Sequence, residues 1–300
     1  MSGGVRNDHL RGEDERRKLE GFRLKEEPNY IKQGNEGGIF QTAWEKQIPL
    51  ILKGPTGCGK TRFVEYMAYE LSLPLITVAC HEDLTASDLT GRFLLKGGET
   101  NWQDGPLTLA VRHGGICYLD EIVEARKDTT VIIHSLTDDR RTLYLDRTGE
   151  VIDAHPHFMM VISFNPGYQN VRKELKESTK QRFASIHLGH PDVETETKII
   201  RSETGLGEEE SHTLAQLGQK IRNLKGHSLS EGASSRLLVY AGRLMVGGLD
   251  PWSACKHAIT ETLTDEAEMK NSLEDVISLF FSPDGKAESG KRGIDGGNES

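Results

Sequence analysis

Lys60, Thr61, Asp120 and Glu121 are residues whose types and spacing suit phosphate chemistry. Lys60 and Thr61 close the run GPTGCGKT, which fits the pattern G-x-x-x-x-G-K-[ST]. Glycines without a Cβ let such a loop curl, so that successive N–H groups point inward. Those donors and the start of the following helix make an anion site. The candidate nucleotide-binding residues are therefore Gly54, Pro55, Thr56, Gly57, Cys58, Gly59, Lys60 and Thr61. Lys60 would reach the β- and γ-phosphates, and the Thr61 hydroxyl would bind Mg²⁺. A Gly-rich turn with an incidental lysine is the plainer reading of the same run. Its surroundings favour the phosphate site. IPLILK before it reads as a buried strand, and TRFVEYMAYELSL after it carries Phe63, Met67 and Leu71 at helical spacing.

Hydrolysis also needs acids. The apolar run of GGICYLDE ends in Asp120 and Glu121. Asp120 is placed to hold the Mg²⁺ shell, and Glu121 to polarise an attacking water. Two solvated acids at a strand end are the alternative. A third apolar run, FMMVISFNP, ends in Asn165, whose amide is placed to orient the same water. Taken alone, Asn165-Pro166 is a turn signal.

Between these motifs, strands and helices alternate. LPLITVAC and FASIHLG read as further strands, LTLAVRHG as a short helix, and TTVIIHSLTDD as a helix following Glu121. RTLYLDRTGEVID reads as a hairpin turning at Asp146-Arg147-Thr148-Gly149. Alternation of this kind predicts an α/β fold, a parallel sheet covered by helices. From about Asp192 onward the apolar spacing is purely helical, as in Leu214, Leu217, Ile221 and Leu224. The expected organisation is a mobile charged segment over 1–26, a nucleotide-binding core over 27–200, an all-α domain over 201–282 and a disordered tail over 283–300.

Composition bounds the rest. An apolar fraction of 36% and a mean hydropathy of −0.50 describe a globular chain in water. No apolar run approaches the ~20 residues of a membrane span, and the N-terminus lacks signal-peptide features. Cys58, Cys80, Cys117 and Cys255 lie far apart with no C-x-x-C, which suits a reducing cytoplasm and speaks against a zinc site. Cys58 inside the loop reads as a small residue that fits, with a redox switch as the other reading. His81, Glu82 and Asp83 read as a loop before a helix start, with Ser87 and Asp88 capping. His155 and His157 flank Pro156 without a third ligand, a weak metal signal. The net charge of −9 lacks the basic footprint of a nucleic-acid motor, although a local basic surface is compatible with it.

The order of these parts resembles that of AAA+ ATPases: phosphate loop, Asp-Glu strand end, Asn-tipped strand, helical lid. The hairpin before Asn165 resembles their pre-sensor-1 insertion. TGRFLLKGGETNWQDGPL resembles the helix-2 insertion of the MoxR branch. The phrases LKGPTGCGKTRFVEYMA, ITVACHEDLTASDLTGR, WQDGPL, CYLDEIVEAR, NPGY, STKQRF and RNLKGH are similar to the CbbQ/NorQ/NirQ group, with the CbbQ branch nearest. The resemblance runs from about Tyr30 to Phe281.

That resemblance implies a homo-hexameric ring with ATP and Mg²⁺ between subunits. It implies an arginine finger at Arg182 and a sensor-2 arginine at Arg236; surface arginines are the plainer reading of both. It implies a pore loop carrying Phe93, Leu94 and Lys96. Glycines at Gly91 and Gly97-Gly98 suit a mobile loop with an aromatic tip, while Phe93 anchoring that loop to the core is the alternative. The implied work is remodelling of a protein client. In the CbbQ branch the client is rubisco, freed of inhibitory sugar phosphates with a von Willebrand A domain partner, CbbO. In the NorQ branch it is nitric oxide reductase, again with a von Willebrand A partner. A nucleic-acid motor and a non-hydrolysing nucleotide-gated scaffold are the readings from other classes. The acidic balance opposes the first, and the intact Lys60, Asp120, Glu121 and Asn165 set opposes the second.

Overall fold

The apolar runs of the sequence become a parallel sheet in the computed structural model, which describes residues 15–166, 175–224 and 232–283. Gly167 and Tyr168 of NPGY, residues 225–227 of RNLKGH, and the terminal stretches 1–14 and 284–300 lie outside the described residues. The chain divides into two compact units, Met1–His190 and Pro191–Ser300.

In the first unit a short helix, α1, covers residues 15–20 and is followed by α2 (Glu36–Glu45). The charged N-terminal segment expected to be mobile therefore carries helix in its described part. Leu19 explains this, because it packs into the core at 3% exposure. The phosphate-loop region follows as β1 (Leu50–Lys53) and α3 (Lys60–Glu70). Next come β2 (Leu75–Ala79) and α4 (Ala86–Thr90). A hairpin of β3 (Gly91–Lys96) and β4 (Glu99–Asp104) leads to α5 (Pro106–His113) and β5 (Gly115–Asp120). After β5 come α6 (Lys127–Ile132) and a second hairpin, β6 (Thr142–Leu145) and β7 (Glu150–Asp153). The unit closes with β8 (Phe158–Phe164), α7 (Glu177–Lys180) and β9 (Ala184–His187).

Five strands pair in the order β2-β5-β8-β1-β9, all parallel. A parallel sheet needs both faces covered, and strand alternation supplies two apolar faces. Leu50, Leu52, Tyr118 and Val161 pack with Phe40, Phe63 and Met67 from α2 and α3. Ile51, Cys117, Leu119 and Ile162 point to the other face and pack with Leu107, Ala110 and Val111 of α5. Phe63 has no exposed surface and meets Phe40 edge-on at 5.6 Å. Truncating such a side chain to alanine costs about 3–5 kcal/mol.

Three local features differ from the sequence expectations. The inserted segment is an antiparallel hairpin, with Phe93 paired to Trp102 and Lys96 to Glu99. Its tip is Gly97–Gly98, both at positive φ (64° and 86°), so Phe93 sits in mid-strand and the tip is not aromatic. A two-residue turn with both φ positive matches the right-handed strand twist, which is why two glycines stand there. The cap of α4 is Thr85, not Ser87. Thr85 and Asp88 form a reciprocal capping box. Finally, the helix after Glu121 is broken: α6 ends at Ile132 and a 3₁₀ turn covers His134–Leu136.

The second unit is helical: α8 (Val193–Thr204), α9 (Glu208–Asn223), α10 (Ser235–Val246), α11 (Pro251–Cys255), α12 (Glu261–Leu263) and α13 (Ala267–Ser278), with a π-helical segment at Lys256–Thr260. The sequence puts the boundary of this unit near 190 to 205, with the core taken as 27–200, and the compact units divide after His190. The whole of α8 goes with the helical unit because Ile200 packs among Leu214, Leu217, Ile221 and Leu238. Buried Glu196 of α8 pairs with Arg222 of α9 through two bonds of 2.8 and 2.6 Å, and Ser235 donates to the same carboxylate. Among the described residues, no helix is long and apolar enough to cross a membrane.

Candidate active site

The phosphate loop joins the carboxyl end of β1 to the start of α3. Gly57 and Gly59 hold positive φ (69° and 99°), a region closed to most L side chains. Gly54 is tight for a different reason. A Cβ there would lie 2.2 Å from the Leu188 carbonyl oxygen and 2.8 Å from Cys58 Sγ. At Gly59 a Cβ would meet nothing within 4 Å, so the loop opens on that side. Cys58 is 3% exposed and burial pushes its thiol up, which favours the small fitting residue over a reactive thiolate. All four cysteines are free and buried.

Lys60 is 6% exposed and donates to the carbonyls of Gly54 and Pro55 at 2.9 and 3.1 Å. Its Nζ also lies 3.8 Å from Glu121 Oε1. The Thr61 hydroxyl donates to Asp120 Oδ2 at 3.3 Å. Residues of α3 and the end of β5 thus converge although they are far apart in sequence. Parallel pairing brings this about: β5 and β1 both flank β8, so their carboxyl ends lie on one edge of the sheet. Open α/β sheets bind ligands at that edge.

Glu121 follows β5 in a left-handed conformation, φ 53° and ψ 49°. Burial pushes its carboxyl up, Lys60 opposes that, Asp120 adds to it, and the Asn165 main-chain N–H lowers it. Asn165, 5% exposed at the end of β8, donates its side-chain amide to Thr56 Oγ1 at 3.2 Å. Lys60, Thr61, Asp120, Glu121 and Asn165 therefore form one constellation around the loop.

Thr61 and Asp120 offer two hard oxygen donors to a cation. Among the described residues no group of three His, Cys, Asp or Glu side chains could form an all-protein metal cage, at His155 and His157 or elsewhere. The donor set fits Mg²⁺, which takes one or two side-chain oxygens and completes its shell with water and phosphate oxygens.

Other predicted residues stand outside this constellation. Arg182 precedes β9, an edge strand of the sheet. Its Nη1 donates to the His134 carbonyl at 3.1 Å and to Asp138 Oδ2 at 3.0 Å. Asp138 is held well below the usual carboxylate range, with Arg140 as the largest cause and Arg182 contributing. Arg236 belongs to the second unit, exposed in the first turn of α10 just after the Ser234 cap. Phe93 and Leu94 lie on β3, where Phe93 is 45% exposed and meets the Trp102 ring edge-on at 5.1 Å. Lys96 ends β3.

Two residues that the motif reading missed also touch Asp120. The Tyr118 and Ser163 hydroxyls both donate to its Oδ1. The available signal was a polar atom at an otherwise apolar strand position: Tyr118 in ICYL and Ser163 in VISF.

Comparison with known proteins gives the family. Residues 49–183 match the AAA domain (dynein-related subfamily), and residues 196–280 match the CbbQ/NirQ/NorQ C-terminal family. The chain is 54% identical over 264 residues to Protein NorQ of Paracoccus denitrificans, covering 88% of this chain and 98% of NorQ. It is 53% identical over 260 residues to Protein CbbQ of Hydrogenophilus thermoluteolus, covering 87% and 97%. A solved RuvB mutant from Thermotoga maritima shares the fold at a TM-score of 0.50 and 16% identity, covering 82% of this chain and 70% of that one. The sheet order, phosphate loop and acidic strand end, together with these matches, define an AAA+ P-loop ATPase. Within that class the chain belongs to the CbbQ/NorQ/NirQ family.

Proposed function

We propose that the chain hydrolyses Mg²⁺-bound ATP at the Lys60–Thr61–Asp120–Glu121–Asn165 constellation and uses the energy to remodel a protein client. The convergence of Thr61 and Asp120 at 3.3 Å, with Lys60 beside Glu121, carries this reading. Loop N–H groups and Lys60 bind the phosphates. Thr61 and Asp120 would hold the Mg²⁺ shell, and the cation would supply neutralising charge to the phosphates. Glu121 takes the proton of the attacking water, and Asn165 orients it. Arg182 acts on the site of a neighbouring subunit in a homo-hexameric ring, and Arg236 serves as the sensor-2 arginine. The β3–β4 hairpin, which carries Phe93, Leu94 and Lys96, is the element that meets the client.

The lead client is rubisco, released from inhibitory sugar phosphates together with a CbbO-like von Willebrand A partner. The second client is nitric oxide reductase. The identity of 54% to NorQ, against 53% to CbbQ, favours it as much as the first. Reconstitution separates the two. With its von Willebrand A partner and inhibited rubisco, the protein should restore carboxylation only when ATP is present. Recovery of nitric oxide reductase activity instead, with rubisco left inhibited, assigns the client to the NorQ branch. DNA-stimulated ATPase activity without either effect would replace both with a nucleic-acid motor.

A further inference from the structure

One buried hydroxyl joins the two acids of the active site. Ser163 lies near the end of β8 and has no exposed surface. The β5–β8 register pairs Leu119 with Ile162, so the next step brings Asp120 beside Ser163. Ser163 Oγ donates to Asp120 Oδ1 at 2.5 Å and accepts from the Glu121 main-chain N–H at 3.2 Å. The Tyr118 hydroxyl donates to the same Oδ1 at 2.7 Å. Thr61 donates instead to Oδ2, at 3.3 Å.

A carboxylate offers about four lone-pair sites on two oxygens and is free to turn unless donors fix it. Two hydroxyls on Oδ1 leave Oδ2 as the oxygen turned toward Thr61. Glu121 is a non-glycine residue in the left-handed region, a conformation that persists only where its surroundings hold it. The hydrogen bond from its N–H to Ser163 is one such hold. A single carbonyl partner would satisfy a buried serine, yet this hydroxyl uses its donor on one acid and an acceptor site on the other.

We propose that Ser163, assisted by Tyr118, is a positioning residue that selects which Asp120 oxygen faces the metal and fixes the backbone from which Glu121 projects. The inference rests on the reading of Thr61 and Asp120 as the Mg²⁺-holding pair. Nucleotide binding without metal depends on the loop N–H groups and Lys60, which Ser163 does not touch among the bonds described. Ser163→Ala should therefore bind ADP as the parent does in the presence of a chelator. Its ADP complex should hold a divalent cation about tenfold more weakly, the scale of one lost hydrogen bond to a charged group. Tyr118→Phe keeps the buried ring, removes the other donor, and should weaken the cation in the same direction.

The experiment uses the full-length chain. Fluorescent ADP is titrated with chelator present, and Mn²⁺ binding to the ADP complex is followed by electron paramagnetic resonance. Lys60→Ala and Thr61→Ala serve as controls, with melting temperatures for every variant. Weaker Mn²⁺ in Ser163→Ala or Tyr118→Phe at parental chelated-ADP affinity supports the proposal. Parental Mn²⁺ affinity in both overturns it, even if ATPase activity falls. Should Ser163→Ala fail to fold, Tyr118→Phe decides alone. If Lys60→Ala and Thr61→Ala bind nucleotide and Mn²⁺ as the parent does, the site reading itself has failed, and the positioning role goes with it.

Discussion

The Glu121 carboxylate is held between opposing influences. Burial pushes its pKa up and Asp120 adds to that, while Lys60 at 3.8 Å and the Asn165 N–H favour the charged form. The net direction is upward. A general base must be deprotonated to accept a proton, so ATPase activity should fall as pH drops through this raised pKa. Its acid limb should lie above the ordinary carboxylate range. Glu121→Gln keeps the shape and loses the base. It should bind ATP, hydrolyse it at least ~10²-fold more slowly, and show no such limb. Parental turnover in Glu121→Gln would move the base elsewhere. The same shift has a stability sign. A raised folded-state pKa means that the native state binds this proton more tightly than the unfolded chain does, so stability is lost as pH rises from the unfolded pKa through the folded one. The melting temperature of Glu121→Gln relative to the parent should therefore improve from acid toward neutral pH. A difference that stays flat would show that Lys60 cancels the effect of burial, and one that moves the other way that Lys60 outweighs it.

At the scale of elements, Arg112 ties the two hairpins together. It sits in the last turn of α5, donates Nε to Asp104 at the end of β4 at 2.9 Å, and grips Glu150 at the start of β7 with bonds of 2.5 and 2.9 Å. Asp104 is 7% exposed and also accepts the Trp102 indole N–H at 2.6 Å, so the chain of contacts reaches Phe93. Arg112→Ala should cost about 1–3 kcal/mol, because a buried carboxylate loses its cation. Arg112→Lys should not restore the paired geometry, since an ammonium has no planar fork. Hydrogen exchange should quicken in both β3–β4 and β6–β7; a change confined to one hairpin would disprove the tie. None of this bridge was legible in the sequence, whereas the phosphate loop was. The difference is one of range. Lys60 and Thr61 declare themselves through neighbours a few residues away, and Asp120 and Glu121 through one apolar run. Ser163 and Arg112 acquire partners only once β5 and β8 pair or α5 packs, and no local period encodes that. The β3–β4 hairpin lies between these cases. Its Gly97–Gly98 turn was visible, but polar β4 residues such as Glu99, Thr100 and Asn101 lack the alternation that marks a half-buried strand.

For the whole molecule, the question is whether one chain is a complete enzyme. The proposed role of Arg182 predicts that it is not. Strands β1 and β9 run parallel, with Leu50 opposite Ala184 and Lys53 opposite His187. The phosphate loop begins past the carboxyl end of this pair, while Arg182 lies before its amino end. At ~3.3 Å per residue the strand between them spans about 13 Å. Arg182 is also tethered on its own side by Asp138 and the His134 carbonyl. It therefore stands at a sheet edge, away from its own loop, and the proposed ring would bring a neighbour's phosphate site to that edge. A guanidinium supplied in trans stabilises charge on the transferring phosphoryl group and is worth ~10³ or more in rate. Arg182→Ala should bind ATP yet fail to support hydrolysis at the adjacent site, and Lys60→Ala should fail at its own. Mixing the two inactive proteins creates interfaces with an intact Lys60 from one subunit and an intact Arg182 from the next, so partial ATPase activity should return in proportion to those interfaces. The measurement is steady-state hydrolysis across mixing ratios, with subunit exchange demonstrated by labelled protein. Exchange without any recovery would mean either that Arg182 does not act in trans or that every interface must be intact. A single-chain fusion carrying one defective interface separates these two outcomes. Full activity of Arg182→Ala alone would remove the finger assignment and leave the Asp138 pair as an ordinary structural contact.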